Sequence, residues 1–485
     1  MSQEKANIHL TNWDIVGINP NDKNWSSGDI FCFWANNIQS LIGFSLIASL
    51  YLVYDLNILV VFTSCLLAGI LVAILANLIG QPSQKYGLPF PVILRSSFGV
   101  NGARYIGMLR GIVGLFMFGV QTFFISKSIG YLIRILIFNI DNNFLEKEIF
   151  LIFLMGMDLI DWLSFIFALI IQFYLFKQGQ NFIKLILNFS AWFVYTGLAV
   201  FIIVLAGENS KEIISAFNLS VTTENFISKE NLLTIISLTG TLFAFFSIVI
   251  LNIGDFSRYV KNSSENSKGN FSLIINLIIF SFASVFIVLG ADIVMAQKFL
   301  EVEQLLTNPT DIIGKIDNSF LTVIAILFII VASGSTNMIA NYIPTQNALL
   351  NFFPKNLDKS SSGLLIIIFG LFFGGLWLPI LSQSGALSLI DTIGSFFGPI
   401  AGIIIADYFL IKNKKYISKD IFSDLKNGAY FYSNGWQIKG LYAMVIGFIF
   451  AASTIWNTEL RYLQSFSWLI GAFVSYVTYY LLASD

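Results

Sequence analysis

The sequence predicts an all-α integral membrane protein with twelve transmembrane helices. Of its 485 residues, 56% are hydrophobic and only 11% are charged, and the mean hydropathy is +0.77. Soluble domains carry about 25% charged residues. A helix needs about 20 mostly apolar residues to cross a bilayer. We number the predicted spans 1 to 12 in chain order: 29–51, 57–79, 105–136, 160–177, 183–206, 232–252, 271–291, 318–343, 363–380, 384–411, 438–457 and 464–482.

Charges in the loops predict the orientation in the membrane. Lysine and arginine gather on the side of the N-terminus, as with Lys85, Lys184 and Lys412, whereas the opposite loops are acidic, as with Glu146 and Glu212. Short loops rich in Lys and Arg stay in the cytoplasm. Both termini are therefore expected on the cytoplasmic side of the plasma (inner) membrane.

The chain divides into a polar cytoplasmic leader (1–28), a core of ten helices (29–411), a cytoplasmic loop (412–437) and the last two helices with a short C-terminus (438–485). The leader lacks the features of a cleavable signal, so span 1 is expected to direct insertion. Residues 80–104, in which Pro89 and Pro91 flank Phe90, are expected to form a re-entrant or interfacial helix. No part is large enough for a soluble catalytic module.

Several classes of function are excluded. The net charge of -1 gives no basic field that would hold nucleic acid. The single histidine, His9, lies in the leader, which excludes histidine-based catalysis and histidine-rich metal sites. Cys32 and Cys65 lie in apolar segments and are expected to pack as small hydrophobic thiols without a disulfide. No organic cofactor is expected.

A polar cluster in span 8 predicts a binding site. Its members are Ser333, Gly334, Ser335, Thr336, Asn337 and Asn341. Hydrocarbon offers no hydrogen-bond partners, so such groups must face protein, a cavity or a solute. Hydroxyls and carbonyls suit Na⁺, and an amide can both donate to and accept from a polar ring. Helix packing explains Ser333 and Gly334 well, but it explains two asparagines poorly.

Spans 3 and 6 hold further candidates. Gln121 lies in the middle of span 3, where its amide either reads a ligand edge or forms an interhelical hydrogen bond. Phe245 and Phe246 in span 6 either stack on a planar ligand or pack in the core. Asp255 and Arg258, at the cytoplasmic end of span 6, form either an inner-gate ion pair or a helix-end anchor.

Spans 1 and 6, five apart, show a faint internal repeat. Span 1 contains Asn36, Asn37 and Gln39, and span 6 contains Ser247 followed by Asn252. Polar interruptions at matching positions of two halves predict discontinuous helices, as in transporters built from inverted repeats. Carboxylates fall near the ends of the spans, which disfavours a proton relay at the midplane and favours coupling to Na⁺.

Six local patterns occur in order along nearly the whole chain: Asn12-Trp13-Asp14-Ile15 with Trp25; Lys85 to Pro91 with Arg95 and Ser97-Phe98-Gly99; Phe118 to Thr122; Leu251 to Tyr259; Ser335-Thr336-Asn337 with Asn341; Gly398 to Gly402 with Ala406 to Phe409. In these patterns the chain resembles the nucleobase:cation symporter family, which includes the hydantoin transporter and the allantoin, uracil and cytosine permeases.

The resemblance implies a leucine-transporter-like fold, with a five-plus-five inverted repeat (spans 1–5 and 6–10) followed by two C-terminal helices. It implies secondary active import of a small planar heterocycle, such as a purine, a pyrimidine, allantoin or a hydantoin, with Na⁺ or H⁺ as the coupling cation. It also implies that Gln121 and Asn341 bond the substrate ring. In the implied sodium site, Ser335 and Thr336 contribute side-chain ligands. The backbone carbonyls of Ala332, Ile38 and Leu41 complete it.

The chain departs from this pattern in the expected pocket. Hydantoin-type relatives hold the ligand between two tryptophans, and the matching positions here are Met117 and Phe246. A hydantoin with a bulky substituent is therefore not expected. Gln39, together with Asn36 and Asn37, predicts a ligand with more polar edge.

The alternative transport function is that of a proton-coupled permease for a vitamin-like heterocycle, such as thiamine or pyridoxine, with a hydroxyl cluster that is only structural. An enzyme would need a nucleophile or an acid–base group at membrane depth, and neutral amides offer none. A receptor would bind its ligand without flux. The expected partners are thus a small heterocycle, a coupling cation and the lipid bilayer.

Overall fold

The computed structural model describes residue 10 and residues 12–484, apart from 53–55, 142, 148, 150–151, 208, 222–225 and 299–318. His9 lies outside the described residues. The described helices are α1 (Ser27–Ile38), α2 (Leu41–Leu52), α3 (Ile58–Tyr86), α4 (Phe90–Ile140), α5 (Leu159–Phe176), α6 (Gln180–Ala206), α7 (Ser210–Ser220), α8 (Lys229–Ser257), α9 (Ser263–Lys298), α10 (Ser319–Asn337), α11 (Ile343–Phe352), α12 (Lys359–Gly375), α13 (Ala386–Gly394), α14 (Phe397–Ile405), α15 (Ile438–Trp456) and α16 (Ser467–Ala483).

Each of the twelve predicted spans coincides with helix. Within the described ranges, ten helical segments are long and apolar enough to cross a membrane, and the bent pair α1–α2 makes an eleventh. Predicted span 9 coincides with α12, which is apolar but only 17 residues long. The same ranges hold no β-strand. The predicted fold class, an all-α integral membrane protein, is confirmed.

The helices pack in two groups. In the first, α3 lies against α8 and α9, and α1 lies against α9. In the second, α4 contacts α5, α10, α11 and α12. The helix α6 touches members of both groups, and α14 packs against α15 and α16. The residues of the candidate site lie where α1 and α8 of the first group meet α4 and α10 of the second.

Span 1 is broken as predicted, but span 6 is not. The helix α1 ends at Ile38, α2 begins at Leu41, and the two axes differ by 62°. By contrast, α8 runs from Lys229 to Ser257 without interruption. The hydroxyl of Ser247 donates to the Ala244 carbonyl of its own helix at 2.8 Å, so this polar residue is satisfied without a break.

Residues 80–104 do not form one separate helix. The residues up to Tyr86 complete α3, which ends at Gly87 with a left-handed φ of +69°. Residues 90–98 form a short buried helix that a kink separates from the rest of α4. At Gly99 the backbone leaves helical geometry (φ +81°), and a Cβ there would lie 2.4 Å from the Gly435 carbonyl. The apolar side of this segment therefore faces the protein and not the membrane surface.

Segments that are predicted to be cytoplasmic lie together at one end of the molecule. The leader contacts the loop after α11, because Asn12 Nδ2 donates to Leu357 O at 2.6 Å. The buried Arg95 side chain joins the leader to the 412–437 loop through Leu10 O at 3.3 Å and Ile421 O at 3.1 Å.

Candidate functional site

A π-helical turn, Met338–Tyr342, lies between α10 and α11. Its cause in the sequence is Pro344, because proline has no N–H to donate to the carbonyl four residues earlier. That carbonyl, Ala340 O, accepts hydrogen bonds from the Arg110 guanidinium and, at 3.0 Å, from Asn252 Nδ2. The turn thereby holds the next residue, Asn341, between α4 and α8. Such turns occur frequently at functional sites.

The two amides that were predicted to read a ligand contact each other. Asn341 Nδ2 donates to Gln121 Oε1 at 2.9 Å, and Gln121 Nε2 donates to Ser333 O at 3.2 Å. The pair connects α4 with the π-helical turn. Gln121 is partly exposed and Asn341 is buried. The structure thus brings these residues together, and their role in substrate binding remains a prediction.

Asn337, to which the sequence assigned no role, is the centre of this amide cluster. Its side chain is fully buried. Its Nδ2 lies 2.8 Å from Gln172 Oε1, 3.0 Å from Thr122 Oγ1 and 3.3 Å from Phe118 O. Its Oδ1 accepts from Asn341 Nδ2 at 2.9 Å. One asparagine therefore ties α4, α5 and α10 to the predicted substrate ligand.

The hydroxyls of α10 lie against the carboxyl end of α1. Thr336 Oγ1 lies 2.6 Å from Asn36 O and 2.8 Å from Ala332 O, and Ser335 Oγ donates to Ala332 O at 3.0 Å. All of these ligands are neutral oxygens, the hard donors that suit an alkali cation. The residues present therefore fit a Na⁺ site between α1 and α10.

A carbonyl of span 1 that the sequence did not assign to the cation lies next to the candidate cation site. It is the carbonyl of Asn36 in α1, which contacts Thr336. Ile38 O accepts the backbone amide of Ser40 at 2.7 Å, and Leu41 is the first residue of α2. The assignments of Ile38 and Leu41 to the cation remain predictions.

The amides of α1 have buried oxygens to which no described residue donates a hydrogen bond. Asn36 Nδ2 donates to Cys32 O at 2.7 Å and to Leu187 O at 2.9 Å, and Asn37 Nδ2 donates to Phe33 O at 2.8 Å. Within the described chain, neither Oδ1 has a donor. Gln39 turns towards α6, where its Nε2 lies 3.4 Å from Ala191 O.

The aromatic candidates lie near the break in span 1. The Phe245 ring lies 3.6 Å from the position that a Cβ on Gly43 would occupy. Phe245 and Phe246 meet edge to face at 4.9 Å, and Phe246 is buried whereas Phe245 is not fully so. Met117, one turn before Gln121 on α4, is partly buried. An aromatic wall thus exists on α8, and its role in stacking remains a prediction.

Arg110 is a buried cation that the sequence analysis overlooked. It is 1% exposed, its Nε donates to Asn252 Oδ1 at 2.9 Å, and its guanidinium also reaches Ala340 O. It therefore bridges α4, α8 and the π-helical turn. A signal was present in the sequence, because an ionisable residue inside an apolar span is by itself a reason to expect function.

The Asp255–Arg258 ion pair that was expected as an inner gate does not form. Asp255 Oδ1 accepts from Asn347 Nδ2 at 2.9 Å and from the Phe90 amide at 3.2 Å. Arg258 lies just beyond the end of α8 and donates to Val16 O of the leader at 2.6 Å. The two side chains diverge because one meets the start of α4 and the other meets the leader.

An apolar cavity of about 100 Å³ lies beside the break in span 1. Gln39, Ser40 and Ala332 are among its lining residues, and side chains of α2, α6, α9 and α10 complete the lining. Gln121 and Asn341 are not among its lining residues, and their amides contact each other directly. The cavity therefore borders the candidate cation site rather than the amide cluster.

Comparison with known proteins finds similar sequences among permeases. A family described as "Permease for cytosine/purines, uracil, thiamine, allantoin" matches residues 18–482. An allantoin permease of Bacillus subtilis is 26% identical over 99% of this chain and 94% of its own length. A purine-uracil permease of Arabidopsis thaliana is 28% identical over 91% of this chain and 70% of its own length.

Solved structures share the fold. A nucleobase-cation-symport-1 family transporter, in a closed conformation with bromovinylhydantoin bound, superposes with a TM-score of 0.73 at 17% identity, covering 98% of this chain and 95% of that one. A Na⁺-coupled sialic acid symporter reaches a TM-score of 0.69 at 12% identity, covering 99% and 92%.

Proposed function

Because the chain belongs to the family of permeases for cytosine/purines, uracil, thiamine and allantoin, we propose that it is a secondary active symporter that imports a small planar heterocycle together with Na⁺. The substrate class in this proposal is a purine, a pyrimidine or a ureide such as allantoin. Substrate would bind at the Gln121–Asn341 pair, flanked by Met117, Phe246, Phe245 and Gln39.

One observation carries the proposal. Thr336, near the end of α10, contacts α1, and five residues later Asn341, in the π-helical turn, contacts Gln121 on α4. A cation that ties Thr336 to the Asn36 carbonyl would fix α1 against the same segment that presents Asn341. Binding of the two solutes would then be coupled, and linkage requires each to tighten the other by the same factor.

The positions of the basic loops support cytoplasmic termini. Lys85 Nζ donates to Lys414 O at 2.7 Å, so the connection after α3 and the 412–437 loop share one end of the molecule. At the opposite end of α4, Arg134 pairs with Asp158, which precedes α5, at 2.6 Å. The excess of basic residues at the first end favours its placement in the cytoplasm.

Transport by the purified protein in proteoliposomes tests the proposal. We expect counterflow of radiolabelled allantoin, uracil or hypoxanthine, and we expect net uptake to require an inward Na⁺ gradient. If none of the family's heterocycles exchanged, the proposed function would be wrong. If uptake followed a pH gradient and ignored Na⁺, the sodium assignment would fail and the proton-coupled alternative, with thiamine or pyridoxine as test substrates, would take its place.

Substitution of the two amides tests the site. We expect Asn341→Ala and Gln121→Ala each to abolish counterflow while the protein stays monodisperse and helical by circular dichroism. Asn276 on α9 offers a matched control, because its buried amide binds Phe31 O and Ser272 O outside the candidate site. Counterflow should survive Asn276→Ala. Normal counterflow by either site variant would disprove the assignment.

A further inference from the structure

A chain of hydrogen bonds connects Asn341 through Asn337 to Gln172. A backbone carbonyl of α5 determines which group donates and which accepts at each step. Gln172 is buried, and its Nε2 lies 3.2 Å from Ala168 O and 3.1 Å from Thr122 Oγ1. A carbonyl oxygen can only accept, so the NH₂ end of Gln172 must face it. The other end, Oε1, is thereby directed at Asn337.

The orientation of Gln172 determines the orientation of the Asn337 amide. Its Nδ2 faces Gln172 Oε1 at 2.8 Å and Phe118 O at 3.3 Å, two atoms that can only accept. A rotation of the amide by half a turn would place an oxygen against both of these oxygens. The Oδ1 of Asn337 therefore has to face Asn341.

Asn341 is constrained from two sides. Its Nδ2 donates to Asn337 Oδ1 and to Gln121 Oε1, both at 2.9 Å. The orientation of Gln121 is itself set by Ser333 O, another backbone acceptor, which holds Gln121 Nε2 at 3.2 Å. Both hydrogens of the Asn341 amide are thus used by the protein. Within the described residues its Oδ1 has no protein donor and can only accept.

We propose that Gln172 and Asn337 are positioning residues that set the hydrogen-bond polarity of the substrate site. With this polarity, Asn341 presents an acceptor, and Gln121 presents one remaining N–H and one remaining lone pair. The matching ligand edge is a ring N–H next to a carbonyl, as in lactams and cyclic ureides. Heterocycles whose ring nitrogen is alkylated are rejected. This inference rests on the proposed function and specifies its substrate class.

The expected discrimination follows from the free acceptor on the largely buried Asn341 side chain. A ligand that leaves this acceptor without a partner binds roughly tenfold or more weakly, because the lost contact with water is then not replaced. A methyl group on the ring nitrogen removes the donor and adds bulk beside a side chain that is 6% exposed. The ratio of affinities for parent and N-methyl ligand therefore reports the polarity of Asn341.

The test measures ligand binding to the detergent-purified, full-length protein. The probes are uracil, hypoxanthine and allantoin, each compared with an N-methylated analogue such as 3-methyluracil or 1-methylhypoxanthine. For the wild-type protein we expect the best N–H ligand to bind at least about tenfold more tightly than its methylated analogue. In Asn337→Leu one Asn341 hydrogen becomes free, so Asn341 can donate to a ligand as well as accept from it, and the ratio should fall to within about threefold.

Further variants separate polarity from general damage. Gln172→Met removes the first anchor but leaves Phe118 O, so its ratio should lie between those of wild type and Asn337→Leu. Asn276→Leu deletes an equally buried amide elsewhere, and its ratio should match wild type even if its stability is reduced. If Asn337→Leu does not fold, Gln172→Met against Asn276→Leu still decides the question.

The possible failures are distinguishable. If no probe binds to the wild-type protein, both the proposed function and this inference are wrong. If N–H ligands and their methylated analogues bind equally well, the function stands and the polarity inference is overturned. The inference is also overturned if Gln172→Met and Asn337→Leu both keep the wild-type ratio.

Discussion

The amides at the end of α10 and in the π-helical turn after it are held differently from those of α1. Asn337 on α10 and Asn341 in the turn are joined by hydrogen bonds to each other and to α4 and α5. On α1, Asn36 and Asn37 use their nitrogens on backbone carbonyls, and their buried oxygens have no protein donor within the described chain.

This difference indicates a division of labour. A side chain whose partners are all protein atoms is oriented before any solute arrives, and such preorganisation favours specific recognition. A buried oxygen without a donor carries a desolvation penalty that a cation or an N–H group would relieve. The α10 side is therefore suited to select the substrate, and the α1 side is suited to respond to binding.

The largest effect should come from the network that holds the π-helical turn. In Asn252→Leu, Arg110 Nε loses its acceptor while the guanidinium stays buried. Hydrogen bonds to charged groups contribute more than neutral ones, so we expect the free energy of unfolding to fall by about 2–3 kcal/mol. Chemical denaturation in detergent, followed by circular dichroism, measures this loss.

The double variant provides the control for Arg110. If the loss in Asn252→Leu arises from an unpaired buried charge, then Arg110→Met in the same protein removes the charge and should recover part of the stability. If the double variant is less stable than Asn252→Leu alone, the guanidinium contributes through packing and not through its pairing with Asn252.

A smaller effect, on cation affinity, is expected at Thr336. Thr336→Ala deletes the hydroxyl that lies 2.6 Å from Asn36 O. The apparent affinity for Na⁺, measured by how strongly Na⁺ stabilises the protein, should therefore weaken by about tenfold, which corresponds to about 1.4 kcal/mol. Thr336→Ser keeps the oxygen and should retain most of the wild-type affinity. Thermal unfolding at several Na⁺ concentrations, with K⁺ held at constant ionic strength, reports both. Equal Na⁺ responses of the Ala and Ser variants would contradict the assignment.

Much of the fold could be predicted from the sequence because hydropathy determines it directly. Every predicted span coincides with helix, since a backbone in lipid must satisfy its own hydrogen bonds. The structure divides 80–104 between two helices and leaves span 6 unbroken, which the sequence did not predict. A tertiary contact decided the first outcome, because Gly99 lies against Gly435. A local bond accounts for the second, because the Ser247 hydroxyl bonds within its own helix.

The site could be predicted only where polar residues stood out against an apolar background. Gln121, Thr336 and Asn341 became candidates in this way, and their roles remain predictions. The roles of Asn337 and Gln172 depend on which of two amide ends faces which carbonyl, and no spacing rule contains that information. The hydrogen bond to Ala340 O requires both Pro344, which leaves this carbonyl without its helical donor, and Arg110, which lies far away in the sequence.

The smallest effect on folding, and the sharpest test of the comparison, is expected on α1. Within the described residues, the Asn37 Oδ1 is buried without a protein donor, and its Nδ2 binds only a carbonyl of its own helix. Asn37→Leu removes this unpaired group, so the stability of the protein without Na⁺ and substrate should change by less than about 1 kcal/mol. The added stabilisation by saturating Na⁺ and substrate should decrease, because the oxygen that binding would satisfy is gone. If Asn37→Leu instead destabilised the ligand-free protein as strongly as Asn252→Leu, then α1 would be held by protein contacts in the same way as α10, and the division of labour between the two helices would be wrong.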